Sequence, residues 1–316
     1  MQFALLEWCL QAPLATSEMD SADGWLACWQ QLPFADASAM QLAVQGGFQA
    51  DRAAWAFASG YQAALRAQFP SADGDGLYAF CLTEQGVRSS RQLQSRWWQT
   101  ETGVALQGSK GWAPLFEQCR AFYVACRSAD GAAPDEQEPG GFRILRVATT
   151  ANGVTFTPRE PGSFMPELPT ARMQLDGVML GADALLPCDG WHAYANPFSV
   201  QEELYVSAAL LAYLLREGRS NNWPVSYLQQ LLAALALLAE LAGSDGKAAI
   251  SRVVLTGATA WARQLFNEAN ALWAVAPDDA RAQRWLRDQP IQTLWAGSSA
   301  QRGAKAWQAV CAQVRS

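Results

Sequence analysis

Apolar residues follow a helical spacing at both ends of the chain and form short, separate runs in the middle. After Asp51, which suits an N-cap, apolar side chains recur mostly at every third or fourth position: Ala53, Ala54, Phe57, Tyr61, Ala64 and Leu65. A second stripe lies nearer the C-terminus: Leu228, Leu231, Leu232, Leu235, Leu238 and Leu241. Helices bury such stripes against a core, so both ends of the chain are predicted to be helical.

The pattern changes between Leu77 and Leu186. Short apolar runs are separated in many places by the turn-forming residues Gly, Asp, Pro and Asn: Leu77–Leu82, Val104–Leu106, Phe122–Cys126, Phe142–Val147, Val154–Phe156 and Val178–Leu180. This pattern predicts antiparallel β-structure. The order along the chain is therefore helices, then strands, then helices.

Composition and charge narrow the classes of function. The chain has 316 residues, half of them apolar, which is enough for a large core or for two or three domains. Acidic residues outnumber basic ones by 29 to 23, and this net charge of −6 argues against a nucleic-acid partner. The single histidine, His192, removes most histidine-based catalysis and most zinc chemistry, so no metal site is predicted.

Cysteine spacing and the apolar stretches indicate in which cellular compartment the protein is found. The seven cysteines include no CxxC pair and are typical of buried thiols in a reducing environment. The N-terminal sequence lacks the basic region and cleavage site of a signal peptide. The longest apolar stretch, residues 227–242, is interrupted by Gln229, Gln230 and Glu240 and is too short to span a bilayer. We therefore expect a soluble, cytoplasmic protein without a membrane span.

Three short motifs carry information about chemistry. The first is Phe80-Cys81-Leu82-Thr83-Glu84, and the second is Leu106-Gln107-Gly108-Ser109-Lys110-Gly111-Trp112. The third joins Arg287-Asp288 to Trp295-Ala296-Gly297-Ser298-Ser299. In this order, on an arrangement of helices, strands and helices, the motifs resemble those of the acyl-CoA dehydrogenase superfamily, in which the first two line a flavin.

The resemblance implies a fold and an activity. The fold is α+β multidomain, with an N-terminal helical domain (1–77), a central antiparallel β-barrel (78–186) and a C-terminal helical bundle (187–316). The chain would be a divergent, shortened member that dehydrogenates an acyl-CoA or acyl-carrier-protein thioester in fatty acid metabolism. The β-hydride would pass to FAD bound between barrel and bundle. The superfamily packs its C-terminal bundles together, which implies a homodimer, a homotetramer or a hetero-oligomer.

The resemblance also implies that the catalytic base is a carboxylate. Most members carry a glutamate at the position of Ala296, and alanine cannot accept a proton. The isovaleryl and long-chain branches carry the base on an earlier helix, and Glu202 within the segment Phe198–Tyr205 matches that position. Such a base needs a dry pocket, because desolvation raises the pKa of a carboxyl. Glu202 could equally be an acid in the first turn of a helix, stabilised by the helix dipole, and both interpretations stay open.

Contacts to FAD follow from the same resemblance, and they fall on seven residues: Phe80, Leu82, Thr83, Ser89, Trp112, Gln229 and Ser298. Three positions depart from the family pattern. Pro114 replaces a hydroxyl residue, Glu268 stands where glycines approach the pyrophosphate, and the arginine element near Arg219–Trp223 is degraded. Two hypotheses follow. The chain is either a flavin-dependent dehydrogenase with Glu202 as its base, or a catalytically silent subunit that binds a partner.

Overall fold

The computed structural model describes the chain except for residues 1, 70, 73, 88, 130–140, 247 and 315–316. Its internal contacts divide it into two compact units. The helical unit comprises Met1–Ala64, Gly162–Pro166 and Gln201–Ser316, and the sheet unit comprises Leu65–Pro161 and Glu167–Val200. The division of the sequence at residues 77 and 186 stays a prediction.

Helices form both ends of the chain, as the apolar spacing predicts. They are α1 (Gln2–Gln11), α2 (Ala22–Trp29), α3 (Ala39–Gln49), α4 (Ala53–Gln68), α5 (Asn196–Ser220), α6 (Val225–Ala242), α7 (Ala249–Trp273), α8 (Ala280–Arg287) and α9 (Ala296–Val314). Local sequence sets several of their ends. The Ser38 hydroxyl accepts the Gln41 N–H, and the Gln41 side chain accepts the Ser38 N–H, which together cap α3. The Asp279 carboxylate accepts the Arg281 N–H at the start of α8.

The predicted leucine stripe lies on α6. Its members Leu231, Leu235 and Leu238 are buried, whereas the other three leucines remain partly accessible. The helix packs against α7 and α1, and the Tyr227 hydroxyl donates to the Leu265 carbonyl over 2.8 Å. By length and composition α6 could cross a membrane, and it is the one such helix in the described residues. Core helices of soluble proteins pass the same test, so this is weak evidence for a membrane.

Two glycines allow α3 and α4 to approach α5 closely. A methyl group on Gly60 of α4 would lie 2.5 Å from the Val206 Cα and 2.7 Å from the Tyr205 carbonyl oxygen. A methyl group on Gly47 of α3 would overlap the Ala209 carbonyl group. Backbone atoms cannot rotate aside, so larger residues do not fit at these contacts. The core of the helical unit forms around α5, in which every residue from 203 to 218 is buried.

Gly60→Ala should lower the free energy of unfolding by about 2 kcal/mol, because the added methyl group must displace the backbone of α5. Gly257→Ala is the matched control, since Gly257 lies inside α7 and no described atom lies within 4 Å of its added methyl group. The control should raise the free energy of unfolding by about 0.5–1 kcal/mol, the difference in helix propensity. Urea unfolding measures both, and equal changes of the same sign would contradict this account of the packing.

The sheet unit contains strands β1 (Leu77–Cys81), β2 (Arg96–Thr100), β3 (Gly103–Pro114), β4 (Cys119–Ser128), β5 (Arg143–Ala148), β6 (Val154–Pro158) and β7 (Thr170–Leu180). Hydrogen-bonded neighbours follow the order β1-β4-β2-β3-β7-β6, and β5 also pairs with β4. The expectation of an antiparallel β-barrel is wrong in two respects. The described strands do not close into a barrel, and β4 runs parallel to both β1 and β2.

Strand pairing explains this difference. Along β4, Tyr123 pairs with Phe80 of β1 and with Arg146 of β5, whereas Arg127 pairs with Arg96 of β2. The apolar runs mark where strands lie, but the partner of each strand depends on residues that are distant in sequence. Leu82, Thr83 and Glu84, the last three residues of the first motif, follow the end of β1 and lie in the segment that leads to β2.

Candidate functional site

Glu202 lies on α5, within the helical unit, and its carboxylate meets Trp295. The Trp295 indole N–H donates to Glu202 Oε2 over 3.1 Å. The indole ring also stacks on Phe57 of α4, with ring centroids 6.4 Å apart and an interplanar angle of 19°. The fold thus brings together two segments that are distant in the sequence, the one around Glu202 and the one that begins at Trp295.

The neighbouring acid, Glu203, has a different environment. It is buried, with Arg302 Nη2 at 2.6 Å from Oε2 and Arg263 Nη1 at 3.4 Å from Oε1. Successive helical residues point about 100° apart, so two adjacent acids can face different partners. Glu203 is paired with two cations, whereas Glu202 receives a hydrogen bond from a neutral donor.

These surroundings perturb the pKa of Glu202. Burial raises the pKa to about 7, the hydrogen bond from Trp295 opposes the rise, and the charge of Glu203 adds to it. A carboxyl with this pKa exchanges protons near neutral pH, as a general base must. Glu202 is also the seventh residue of α5, beyond the first turn in which a helix dipole would stabilise an acid. The environment therefore favours the interpretation of Glu202 as a base.

Trp295→Phe should raise the pKa of Glu202 further, because the ionised carboxylate loses its hydrogen-bond donor while the contact with Phe57 can persist. The pKa can be measured by carbon NMR of labelled glutamate carboxyls, with Glu202→Gln to assign the signal. Trp307→Phe, an exposed site on α9, is the control and should leave the titration unchanged. An unchanged titration in Trp295→Phe would show that the hydrogen bond does not stabilise the carboxylate.

In the sheet unit, the segment after β1 lies beside β3. The Gly111 N–H donates to the Thr83 carbonyl over 2.8 Å, so the first two motifs meet through their backbones. Phe80 is buried, Leu82 and Trp112 are partly accessible, and Thr83 is exposed. Four residues that were predicted to contact FAD are therefore held by adjoining segments of this unit.

A buried ion pair holds that segment in place. Lys110 of β3 is fully buried, and its Nζ lies 2.6 Å from Glu84 Oε1. Glu84 also accepts the N–H groups of Gln94, at 2.6 Å, and Ser95, at 3.1 Å. Burial alone would raise the pKa of Glu84, but the Lys110 charge and these hydrogen bonds bring it below its ordinary value. No role is predicted for this pair from the sequence, although one acid and one base within two apolar motifs are a sign of a buried ion pair.

The remaining residues predicted to contact FAD are Ser89, Gln229 and Ser298, and all three are exposed. The Ser89 hydroxyl accepts the Arg91 N–H over 3.3 Å at the start of a short 3₁₀ turn. The Ser298 hydroxyl donates to the Trp295 carbonyl over 3.1 Å. Both serine side chains thus bond to local backbone, and Ser298 supports the turn that carries Trp295.

Arg219, the arginine of the degraded flavin-contacting element, bonds to backbone carbonyls. Arg219, in the last turn of α5, donates from Nη1 to the carbonyls of Cys9, at 2.6 Å, and Ala12, at 3.3 Å. These carbonyls belong to the C-terminal end of α1, where backbone acceptors need partners outside the helix. Arg219 therefore caps α1.

Two other positions that depart from the family pattern lie in the helical unit: Glu268 is exposed on α7, and Ala296 is the first residue of α9. The exposed Glu268 carboxylate would repel a pyrophosphate, whereas Thr83 presents an exposed hydroxyl and Trp112 a partly accessible indole, both of which can contact a bound flavin.

No family sequence model and no curated protein matches this chain. Solved structures match it in fold. Butyryl-CoA dehydrogenase from Megasphaera elsdenii aligns with a TM-score of 0.69 over 97% of this chain and 98% of its own, at 14% identity. The prolyl acyl carrier protein oxidase AnaB gives 0.65 over 98% and 97%, also at 14% identity. A glutaryl-CoA dehydrogenase from Mycobacterium smegmatis in complex with FADH2 gives 0.57 over 98% and 93%, at 15% identity. The resemblance seen in the three motifs is confirmed at the level of the fold, and the chain has the fold of the acyl-CoA dehydrogenase superfamily.

Proposed function

We propose that this protein is a flavin-dependent acyl-thioester dehydrogenase in which Glu202 removes the α-proton of the substrate. The observation that carries the proposal is the Glu202 carboxylate, which is bonded to Trp295 and has a pKa near 7. The shared fold with butyryl-CoA dehydrogenase and AnaB supports a thioester of CoA or of a carrier protein as the substrate class. Fatty acid metabolism and a cytoplasmic location stay predictions.

The residues of this chain account for the proton transfer. The Trp295 indole N–H holds Glu202 Oε2, and each carboxylate oxygen keeps a lone pair that can accept the α-proton. Arg263 and Arg302 pair with Glu203, whereas burial raises the pKa of Glu202 to about 7, so Glu202 changes its protonation state near neutral pH. Proton removal requires the ionised form of Glu202, and its fraction rises through pH 7.

FAD is the proposed cofactor, and it would accept the hydride from the β-carbon of the substrate. Phe80, Leu82, Thr83 and Trp112 would hold it, because adjoining segments of the sheet unit carry them and the Gly111–Thr83 bond fixes those segments. The contacts of Ser89, Gln229 and Ser298 with FAD stay predictions. The glutaryl-CoA dehydrogenase with bound FADH2 supports the choice of cofactor.

Flavin content tests the proposal. We expect purified protein to be yellow, or to become yellow with added FAD, at close to one flavin per chain. Anaerobic addition of an acyl-CoA or an acyl-carrier protein should then bleach the flavin absorbance. Colourless protein that takes up no added FAD would overturn the proposed activity.

A second candidate function is a catalytically silent subunit that binds a partner chain. Specific observations favour it: Arg219 caps α1, and Glu268 presents an exposed carboxylate on α7. Such a subunit would bind no flavin and would elute with a partner when both are expressed together.

For the enzyme, we expect a homodimer or homotetramer, and light scattering that gives a monomer at micromolar concentration would contradict that expectation.

A further inference from the structure

Helix α9 and the residue before it hold two consecutive acids of α5. Trp295 donates its indole N–H to Glu202, and Arg302 donates from Nη2 to Glu203 Oε2 over 2.6 Å. Residues 295 and 302 are about two helical turns apart along the chain, so they lie on the same face of this segment. One face of α9 therefore contacts both acids, although the proposed reaction uses Glu202 alone.

Trp295 is fixed to the first turn of α9. Its carbonyl accepts the Ser299 N–H over 2.8 Å, the hydrogen bond that opens the helix, and the Ser298 hydroxyl over 3.1 Å. Ser299 is buried, and its hydroxyl lies 3.5 Å from Thr259 Oγ1 of α7. Because these bonds join Trp295 to the helix, a shift of the first turn of α9 moves the indole relative to Glu202.

The ion pair between Arg302 and Glu203 anchors α9 to α5. The Glu203 side chain is 2% exposed, and a carboxylate that has lost its water is stable only when it is paired. Arg263 of α7 supplies a second cation to Oε1, but at the longer distance of 3.4 Å. The next residue of α9, Gly303, lies so close to α7 that an added methyl group would be 2.6 Å from Thr256 Cγ2. The helix is therefore held tightly at the position of Arg302.

We propose that Arg302 is a positioning residue for removal of the α-proton: its ion pair with Glu203 holds the start of α9 on α5, so that the Trp295 indole N–H stays on Glu202. The inference rests on the proposed function, in which Glu202 is the base. Arg302 bonds to Glu203 and not to Glu202, so it acts through Trp295. A carboxylate that is held in one orientation is already aligned when the substrate binds, which lowers the entropic cost of the reaction.

Hydrogen exchange of the Trp295 indole N–H tests the proposal. The full-length protein is labelled with nitrogen-15 at tryptophan, and Trp295→Phe assigns the NMR signal. Arg302→Met should speed the exchange of this proton by about ten-fold or more, because a charge-assisted hydrogen bond that holds α9 is lost. Arg263→Met is the matched control: it removes a cation from the same acid but from α7, so the exchange should stay close to the wild-type rate.

The charged groups at this junction predict a second change. They are Glu203 on α5, Arg263 on α7 and Arg302 on α9, while α4 contributes the uncharged ring of Phe57. In Arg302→Met the ionised Glu202 loses its donor and lies beside a Glu203 charge that only Arg263 balances, and both effects raise the pKa of Glu202. The midpoint of its carbon NMR titration should move up by about one pH unit. Lys305→Met, which removes a cation from an exposed position of α9, should leave the midpoint unchanged.

Two more variants decide the outcome. Arg302→Lys keeps the cation and should restore the wild-type exchange and titration. Glu203→Gln removes the charge at the other end of the contact without a change of shape, so it provides the same exchange test if Arg302→Met does not fold. Wild-type exchange in Arg302→Met, or in Glu203→Gln where only that variant folds, would refute the proposal. These measurements need neither flavin nor acyl-CoA, so their failure is distinct from a failure to bind FAD, which would reject the proposed activity.

Discussion

Lys110→Met should lower the free energy of unfolding of the sheet unit by about 3–5 kcal/mol, because it leaves the buried Glu84 carboxylate without its cation. The Lys110 side chain is completely inaccessible and lies 2.6 Å from Glu84. Methionine has a similar shape, so the change removes the charge with little change in packing. Urea or thermal unfolding measures the loss.

Two further variants test whether this loss of stability comes from the unpaired buried charge of Glu84. Arg120→Met removes a cation from the exposed ion pair with Asp75, which is 2.7 Å long, and should cost less than about 1 kcal/mol. Adding Glu84→Gln to Lys110→Met should recover part of the loss, because no unpaired charge then stays buried. If Lys110→Met costs no more than the surface control, the buried pair does not stabilise this unit.

The Glu84 pair also predicts a pH dependence. The pKa of Glu84 is lower in the folded chain than its ordinary value, so ionised Glu84 stabilises the folded state at pH values above that ordinary value. This contribution is lost as the pH falls through the lowered pKa. Wild-type stability should therefore decrease on acidification more steeply than the stability of the Glu84→Gln, Lys110→Met double variant.

Glu202→Gln should slow the bleaching of bound flavin by an acyl-CoA by about 10²–10⁴-fold, the usual contribution of a general base. Glutamine is isosteric and can still accept the hydrogen bond from Trp295, so the flavin spectrum should be unchanged. Stopped-flow absorbance under anaerobic conditions gives the rate. Glu240→Gln, an exposed acid on α6, is the control and should react at the wild-type rate. Fast bleaching in Glu202→Gln would reject Glu202 as the base without affecting the evidence for flavin binding.

The pH profile gives an independent check on the same residue. The base acts when it is ionised, so the bleaching rate should rise with pH and level off above about 7, the pKa of Glu202. Because this pKa is raised in the folded chain, ionisation of Glu202 destabilises the fold as the pH increases through 7. Glu202→Gln should therefore be more stable than the wild type in alkaline buffer while it is inactive. A structural acid would show the opposite pattern, with stability lost on substitution.

The candidate site was only partly predictable from the sequence. The motif around Thr83 and the motif around Lys110 lie on adjoining segments of the sheet unit, and the resemblance matches the segment of Glu202 to a base position. The partner of Glu202 was not foreseen, because Trp295 is 93 residues away and its indole donor has no signature in the sequence. The cap that Arg219 provides for α1 was also missed, since it joins residues 210 positions apart.

Periodicity and motif content are local properties, and they were sufficient to predict helices at both ends, strands between them, and a fold that solved structures share. Strand order is not local: the antiparallel barrel that the sequence suggested gave way to an open sheet with parallel pairs, because β4 takes partners that only the folded chain brings to it. The electrostatics of the site were likewise decided by tertiary structure. Glu84 and Glu202 are chemically identical, and burial raises the pKa of each. At Glu84 the Lys110 charge and several hydrogen bonds outweigh burial and lower the pKa, whereas at Glu202 the hydrogen bond from an uncharged indole does not. The sequence specifies which groups can ionise, whereas the distances and the exclusion of water that set their pKa values exist only after folding.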